Sequence, residues 1–426
     1  MAGPYYCDLA GTYADVTALT GAKGSGPGGL QAIIRGTGNA TALAAGETVY
    51  LKGTGNLTRL VTMDLGVDCK GWGLGDSVRN KDGAGDDWTG LVCQVSVGAD
   101  DNVVLIELAV GDDIDNIADA DGIENTSAGG GGDDPTSVDP LPNTPLCPGI
   151  QIDTNAGTAE SYINFIGTNS SWTNDGTLFK LDGNGDATNC ITGSVKHISV
   201  QNFDLDDATG HGFTTSGEPW YWVWLHGITH NHGSGGLCLY HHNASRLILT
   251  QAYSNGSDGF QEADDTVQWF FCVAHDNTES GFNTDNYNHI ANMWYGCLSY
   301  SNTEYGFERL GAYSVAINCV AHDNGKSGIT VKDPNPGTIL GCRITSNGTE
   351  AGDWYGIDGW IYNPLYGWNY ITGNDLGPTT GTVTAIVSGG VDTNLEAGTD
   401  GYTNAGADDY NLAASATLRN TAIELD

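Results

Sequence analysis

Between about Gly227 and Gly348 the apolar and polar positions recur with a period in the low twenties. Aligned on an asparagine, the segments read Gln251-Ala252-Tyr253-Ser254-Asn255, Val273-Ala274-His275-Asp276-Asn277, Leu298-Ser299-Tyr300-Ser301-Asn302, Val320-Ala321-His322-Asp323-Asn324 and Arg343-Ile344-Thr345-Ser346-Asn347. The Asn-to-Asn steps are 22, 25, 22 and 23 residues, and Asn231 extends the register upstream by 24. Seven residues before each Asn stand Ile248, Phe270, Tyr295, Ile317 and Leu340; five before, Thr250, Cys272, Cys297, Cys319 and Cys342; three before, Ala252, Ala274, Ser299, Ala321 and Ile344. These alternate positions are mostly apolar or small and predict the inward face of a strand, while the positions between them are mixed and point outward. A period of two within a segment and of about 23 between segments describes short strands stacked coil upon coil.

Four residues after the first four aligned Asn comes Gly259, Gly281, Gly306 or Gly328, then Phe260, Phe282, Phe307 or Ile329. The Asn is expected at a corner, where a left-handed conformation is tolerated and its amide bonds to backbone or to the next Asn. The Gly is expected to permit a second sharp corner, and the Phe or Ile to turn inward. Neither a recurrent Leu pattern nor a 3.6-residue period is present, so leucine-rich and helical repeats are excluded. The expected fold is all-β, a right-handed parallel β-helix solenoid with an N-terminal cap and a small inserted β module.

Composition adds tight corners: 63 Gly but 12 Pro in 426 residues, with aromatics and aliphatics still plentiful. Lys and Arg number 15 against 52 Asp and Glu, a net charge of −37. That excludes nucleic acid and anionic membrane as natural partners, since both require a basic surface. Of ten cysteines, four share one inward row and read as small buried hydrophobes, with thiols about 4.8 Å apart on neighbouring strands. The opening Met1-Ala2-Gly3-Pro4-Tyr5-Tyr6 has neither a basic nor an apolar leader segment, so no signal peptide is expected, and no apolar run is long enough to span a membrane. A virion or extracellular location, with release by lysis, fits that reading.

In chain order, residues 1–65 read as an N-terminal cap and first coil, with strands at Tyr5–Asp8 and within Gly46–Lys52 and short helical pieces near 29–34 and 40–45. Residues 66–148 read as an inserted β module, with strands near 88–97 and 102–110, and a Pro/Gly-rich linker. Residues 149–376 carry the β-helix, and 377–426 close it. The phrase Ala42-Leu43-Ala44-Ala45-Gly46-Glu47-Thr48-Val49-Tyr50-Leu51-Lys52, with Tyr5-Tyr6-Cys7-Asp8 before it and Asp409-Tyr410-Asn411-Leu412 near the end, resembles the opening and closing of pectate-lyase-like β-helix proteins. The resemblance implies a cap over the open end of the solenoid, where bare strand edges would otherwise lie. The layout of the insert resembles β inserts in phage-encoded β-helix spike and fibre proteins, which implies a homotrimer.

Candidate chemistry follows the Gly-Phe corner: Gln261, Glu262, Asp264, Asp265, then Asn283, Thr284, Asp285, then Glu308, Arg309, then Lys332, Asp333. Glu262 with Asp285 or Glu308 would make a glycosidase-type carboxylate pair. Arg309 or Lys332 would be the base of a lyase, with Asp residues holding Ca2+ on a substrate carboxylate; no other cofactor is implied. The same positions on so acidic a chain also suit a plain solvated face. The row Tyr253, His275, Tyr300, His322 would bind glycan by ring stacking, or serve as packing between coils or a subunit contact. His226, His230, His232, His241 and His242 cluster in sequence without diagnostic metal spacing, and Asp182-Gly183-Asn184-Gly185-Asp186 lacks the twelfth-position Glu of a calcium loop. No metal site is assigned.

The expected function is a virion structural or host-surface glycan-binding protein of a tailed phage, such as a spike, fibre or capsid-associated protein, leaning away from catalysis. Its partners would be other virion proteins, its own copies or cell-surface polysaccharide. The alternative is a polysaccharide lyase or glycoside hydrolase acting along the β-helix face. A bacterial adhesin is weaker, since no signal or anchor is seen.

Overall fold

The computed structural model describes residues 5–9, 43–57 and most of 149–359, with separate strand segments elsewhere; 154–155, 186, 217–219, 241–243, 264–265, 285–290, 312, 332–336 and 353 lie outside the description. The chain divides into two compact units, residues 1–241 and 242–426. In each, the coils are built from three parallel sheets, and the fold is the expected right-handed β-helix.

In the first unit the first sheet contains Tyr5–Asp8, Thr48–Lys52, Ile163–Gly167, Ile198–Gln201 and Val223–Leu225. The second takes Thr54–Asn56, Phe179–Asp182, Phe203–Asp206 and Ile228–His230; the third takes Ile150–Ile152, Asn189–Gly193, His211–Thr215 and Leu237–Leu239. Thr48–Lys52 pairs directly with Ile163–Gly167, and between Thr54–Asn56 of the second sheet and Ile150–Ile152 of the third the chain leaves the solenoid. There it forms a six-stranded antiparallel sheet whose first strand is Leu60–Asp64 and whose centre is Thr89–Val95 against Val103–Leu108. That sheet is an inserted β module of the expected kind, and it takes in Leu60–Asp64, from the stretch read as cap and first coil. Leu30 and Ile34 are buried against Ile150, Phe165, Leu181 and Phe203, lining a small apolar cavity.

In the second unit each full coil places three residues in the first sheet, turns, places three in the second, turns, and places three or four in the third: Gln268–Phe270, Val273–His275 and Phe282–Thr284 are one example. The Cys row is inward as expected. Cys272, Cys297, Cys319 and Cys342 are buried and unbridged. Each thiol donates to a carbonyl on the preceding coil, from Cys272 to Leu247 at 3.3 Å and from Cys297 to Trp269 at 3.4 Å. Burial pushes the thiols of Cys297, Cys319 and Cys342 well up, which keeps their protons in place for those bonds.

The row seven before the Asn is not inward. Ile248, Phe270, Tyr295, Ile317 and Leu340 are half-exposed, and the fully buried row is one residue earlier: Leu247, Trp269, Trp294, Ala316 and Ile339. The reason lies in the residue between the two strands. Leu249, Phe271, Gly296, Asn318 and Gly341 all have left-handed φ, from 53 to 64°. One such residue resets the alternation, so a period of two cannot be carried across it.

The Asn row is a continuous buried ladder. Asn277 Oδ1 accepts both the backbone N–H of Asn255 (3.2 Å) and its side-chain Nδ2 (2.9 Å). Asn302 does the same for Asn277, Asn324 for Asn302, Asn347 for Asn324, and Asn374 for Asn347. The second amide proton goes to a backbone carbonyl of the coil before, as from Asn302 to Ala274 at 3.2 Å. The left-handed corner residue is the one before the Asn: Ser254, Asp276, Ser301, Asp323 and Ser346. The recurring Gly has a different purpose from the one expected. Gly259, Gly281, Gly306 and Gly328 have no left-handed φ. A Cβ on Gly259 would lie 2.8 Å from Asn277 Nδ2, and one on Gly281 would lie 2.1 Å from Ser299 Oγ. The glycines clear space for the ladder. Phe260, Phe282 and Phe307 then stack inward with centroids 4.9 Å apart.

In the first unit the same sequence of states ends on a histidine. Thr229 is buried, Asn231 is left-handed (φ 58), and His232 is buried. His232 Nδ1 accepts from the Ala208 N–H at 3.0 Å and Nε2 lies 2.9 Å from Thr229 Oγ1. The upstream register therefore lands on His232, one residue beyond Asn231. The closing Asp409–Leu412 strand pairs antiparallel with Tyr402–Asn404; apart from these and the short strands Thr379–Thr380 and Thr384–Ala385, residues 377–426 lie outside the described residues.

Asn302→Ala removes the acceptor of two Asn277 donors, and should lower unfolding free energy by about 2–4 kcal/mol in urea denaturation. Thr278→Ala, at an exposed position, should change it by less than about 0.5 kcal/mol.

Candidate functional site

The third sheet of the second unit holds two of the predicted carboxylates, Glu262 and Glu308. Phe260, Phe282 and Phe307 point inward, so alternation sends Gln261, Asn283 and Glu308 outward in one register row and returns the next residue inward. Glu262 is therefore not on the outer face. It is fully buried, and its Oε2 accepts from Asn292 Nδ2 at 2.9 Å. Thr284, its register partner, is buried too. The expected face holds for Gln261, which is half-exposed, and for the direction of Glu308, but Glu308 is only 5% exposed. Asp264, Asp265, Asp285, Lys332 and Asp333 lie outside the described residues. Arg309 stands in a bulge with φ 60°, its Nε 3.2 Å from Glu308 Oε1.

The structure assembles a different carboxylate pair. Ser280, fully buried, donates its N–H to Asp258 Oδ1 at 2.9 Å and its hydroxyl to Glu308 Oε2 at 2.8 Å. Asn283 Nδ2 donates to Asp258 Oδ2 at 2.9 Å. Burial pushes the Asp258 carboxyl up to about 7; the bonds from Asn283 and Ser280 oppose this, and the charges of Glu308 and Glu279 add to it. Sequence reasoning missed Asp258, which immediately precedes Gly259 and lies outside the rows aligned on the Asn, Gly and Phe. The signal was present: the same position holds Ser280, Tyr305 and Ser327 in the other coils, and a carboxylate in a row of hydroxyl groups is the exception.

Tyr253, His275 and Tyr300 form one stack in the second sheet. Their centroids are 5.0 and 4.7 Å apart and the rings lie within 7° of parallel. His322 is buried, with Nδ1 2.9 Å from Thr345 Oγ1. The ring faces that a sugar would stack on are already used between coils at His275. The histidines of the first unit take separate partners. His226 Nδ1 meets Asn202 Oδ1 at 3.0 Å, and His230 bridges Asp204 (2.9 Å) and Asp206 (3.1 Å). His232 is buried, and burial takes it down to about 3; His241 and His242 lie outside the described residues. Asp206 also receives Lys180 at 2.7 Å. Its burial opposes ionisation, but the bonds from Lys180 and Asn231 outweigh that and hold the carboxyl low. Among the described residues, no three His, Cys, Asp or Glu side chains converge to hold a metal ion. Asp182 Oδ1 accepts the Asn184 N–H at 2.9 Å and closes a local turn.

No family model matches the sequence, and no curated protein matches it. Among solved structures the chain is similar to pectate lyase Pel9A, at 15% identity and TM-score 0.49 over 63% of this chain and 77% of that one. It is similar to the A-module of the Azotobacter vinelandii mannuronan C-5 epimerase AlgE6, at 14% identity and TM-score 0.39 over 59% and 89%. It is also similar to the Dettilon tailspike protein, at 10% identity and TM-score 0.32 over 56% and 55%. The expected parallel β-helix is carried by the stacked coils of the chain itself.

The sign of the pH effect at Asp258 follows from its surroundings. Below about pH 4 folded and unfolded chains both carry the proton. Between there and about 7 the fold keeps a proton that the unfolded chain releases, so raising the pH destabilises the fold. Asp258→Asn keeps the shape and removes the charge; the Asn283 amide then turns to offer its oxygen. The variant should melt higher than the parent at pH 8 and no higher at pH 4. Equal differences at both pH values would contradict the assignment.

Proposed function

We propose that the chain is a structural, glycan-binding component of a tailed-phage particle, a spike or fibre that holds cell-surface polysaccharide without cleaving it. The observation that carries this reading is the engagement of the candidate carboxylates. Glu262 and Glu308 are buried and bonded to Asn292 and Ser280 of neighbouring coils, so both take part in the hydrogen bonding that joins one coil to the next. The antiparallel insert, which interrupts one coil between Thr54–Asn56 and Ile150–Ile152, supports the phage assignment through its layout.

The first sheet of the second unit supports assembly. Ile248, Phe270, Tyr295, Ile317 and Leu340 form an uncharged, half-exposed register row. At the adjoining corner Leu249 is 54% exposed and Phe271 51%. On a chain of net charge −37, an apolar stripe of this length fits contact with further copies of itself. A homotrimer is the expected state. Light scattering should report a trimer, and Leu249→Glu with Phe271→Glu should shift it toward monomer; a monomeric parent chain would contradict this part.

One observation favours hydrolysis instead. Asp258, raised to about 7, shares Ser280 with Glu308, as an acid and a base in a glycosidase would be kept in different protonation states. Incubation with neutral and acidic polysaccharides separates the two. The proposal expects retention of the polymer with no new reducing or unsaturated ends. Ends that appear with the parent chain and vanish with Asp258→Asn would replace it with the hydrolase reading.

A further inference from the structure

In seven coils the corner that precedes the first-sheet strand is left-handed; ahead of Ile163–Gly167 it is not. In the first unit Gly46 (φ 86), His197 (φ 58) and Tyr221 (φ 62) occupy it; in the second unit Ala244, Thr266, Ala291 and Tyr313 do. The conformation suits Gly and is unfavourable for a bulky side chain. Small residues at three of these corners show what the coil itself needs. An aromatic ring there has to be explained by something other than backbone preference.

Tyr221 is 37% exposed. Its ring lies parallel to that of His197, 4.7 Å away and within 10°. His197 meets Tyr162 edge-on at 5.6 Å. Among the described residues the buried Nδ1 of His197 has no hydrogen-bond partner, so stacking sets the angle of the pair. Beside them Trp220 is half-exposed, with Lys196 Nζ 3.7 Å from its ring centre. The result is a phenol ring with one face backed by an imidazole and 37% of the residue open to solvent.

We propose that Tyr221, backed by His197 and flanked by Trp220, is the stacking platform for an uncharged sugar ring of the bound polysaccharide. The proposal rests on the glycan-binding reading above and gives it a place and a ligand class. A fixed aromatic face matches the C–H face of a pyranose and loses little rotamer entropy on binding. The ammonium of Lys196 lies on the Trp220 ring, in a cation–π contact. The net charge of −37 repels an acidic polymer at long range, which selects a neutral one.

The test uses the full chain with dextran and galactomannan as neutral probes and polygalacturonate and alginate as acidic ones, by affinity electrophoresis. Tyr221→Gly should weaken binding of a neutral probe by about tenfold. It should also leave the melting temperature unchanged or raise it, because Gly relieves the left-handed strain. Tyr221→Phe should bind as the parent does. A lowered melting temperature in the Gly variant would mark Tyr221 as a packing residue and overturn the proposal. Undiminished binding by that variant would overturn the site and leave glycan binding standing. Preference for the acidic polymers would overturn the ligand class, and failure of the parent chain to bind any probe would overturn both readings.

Discussion

Every coil of a parallel β-helix must satisfy its corner polar groups from the coil above or below, at a spacing of about 4.8 Å. In the second unit that constraint is met by the Asn ladder. From Asn277 to Asn374 each Oδ1 accepts two donors from one neighbour and each Nδ2 reaches a carbonyl as well. A buried amide with a partner for every site stabilises the fold, while the same amide with one partner missing is costly. The surrounding pattern follows. Glycine is required where a Cβ would strike the ladder, thiols donate to the carbonyl behind them, and Phe260, Phe282 and Phe307 stack because their strands are held in register.

The first unit reaches the same end with different chemistry. His232 accepts a backbone N–H and meets a threonine hydroxyl, much as Asn302 accepts from Asn277 and donates to Ser299. Its surroundings keep it neutral, and a neutral imidazole offers one acceptor and one donor. What looked like part of a histidine cluster is therefore a ladder member.

The architecture was legible because a ladder repeats its residue type in every coil. The Cys, Asn, Gly and Phe rows announced the solenoid and its period. The inward row of Leu247, Trp269 and Trp294 was misplaced by one because Leu249, Phe271 and Gly296 are left-handed, and nothing in their identities says so. Glu262 was assigned outward for a related reason: its direction depends on which residue of the strand enters the core first. Asp258 and Tyr221 were overlooked since each departs from its row rather than following it. Residues that break a row without need of the fold are where function is best sought, and the carboxylates that follow the rows are occupied by them.

Amide hydrogen exchange across the second unit tests the central claim most directly. If the ladder holds the coils together, the backbone amides of Asn255, Asn277, Asn302 and Asn324 should exchange only through global opening, as slowly as those of the buried strand residues Ala252, Ala274 and Ala321. Exchange of the four Asn amides as fast as that of the exposed turn residue Glu279 would show that the corners open independently and would contradict the account.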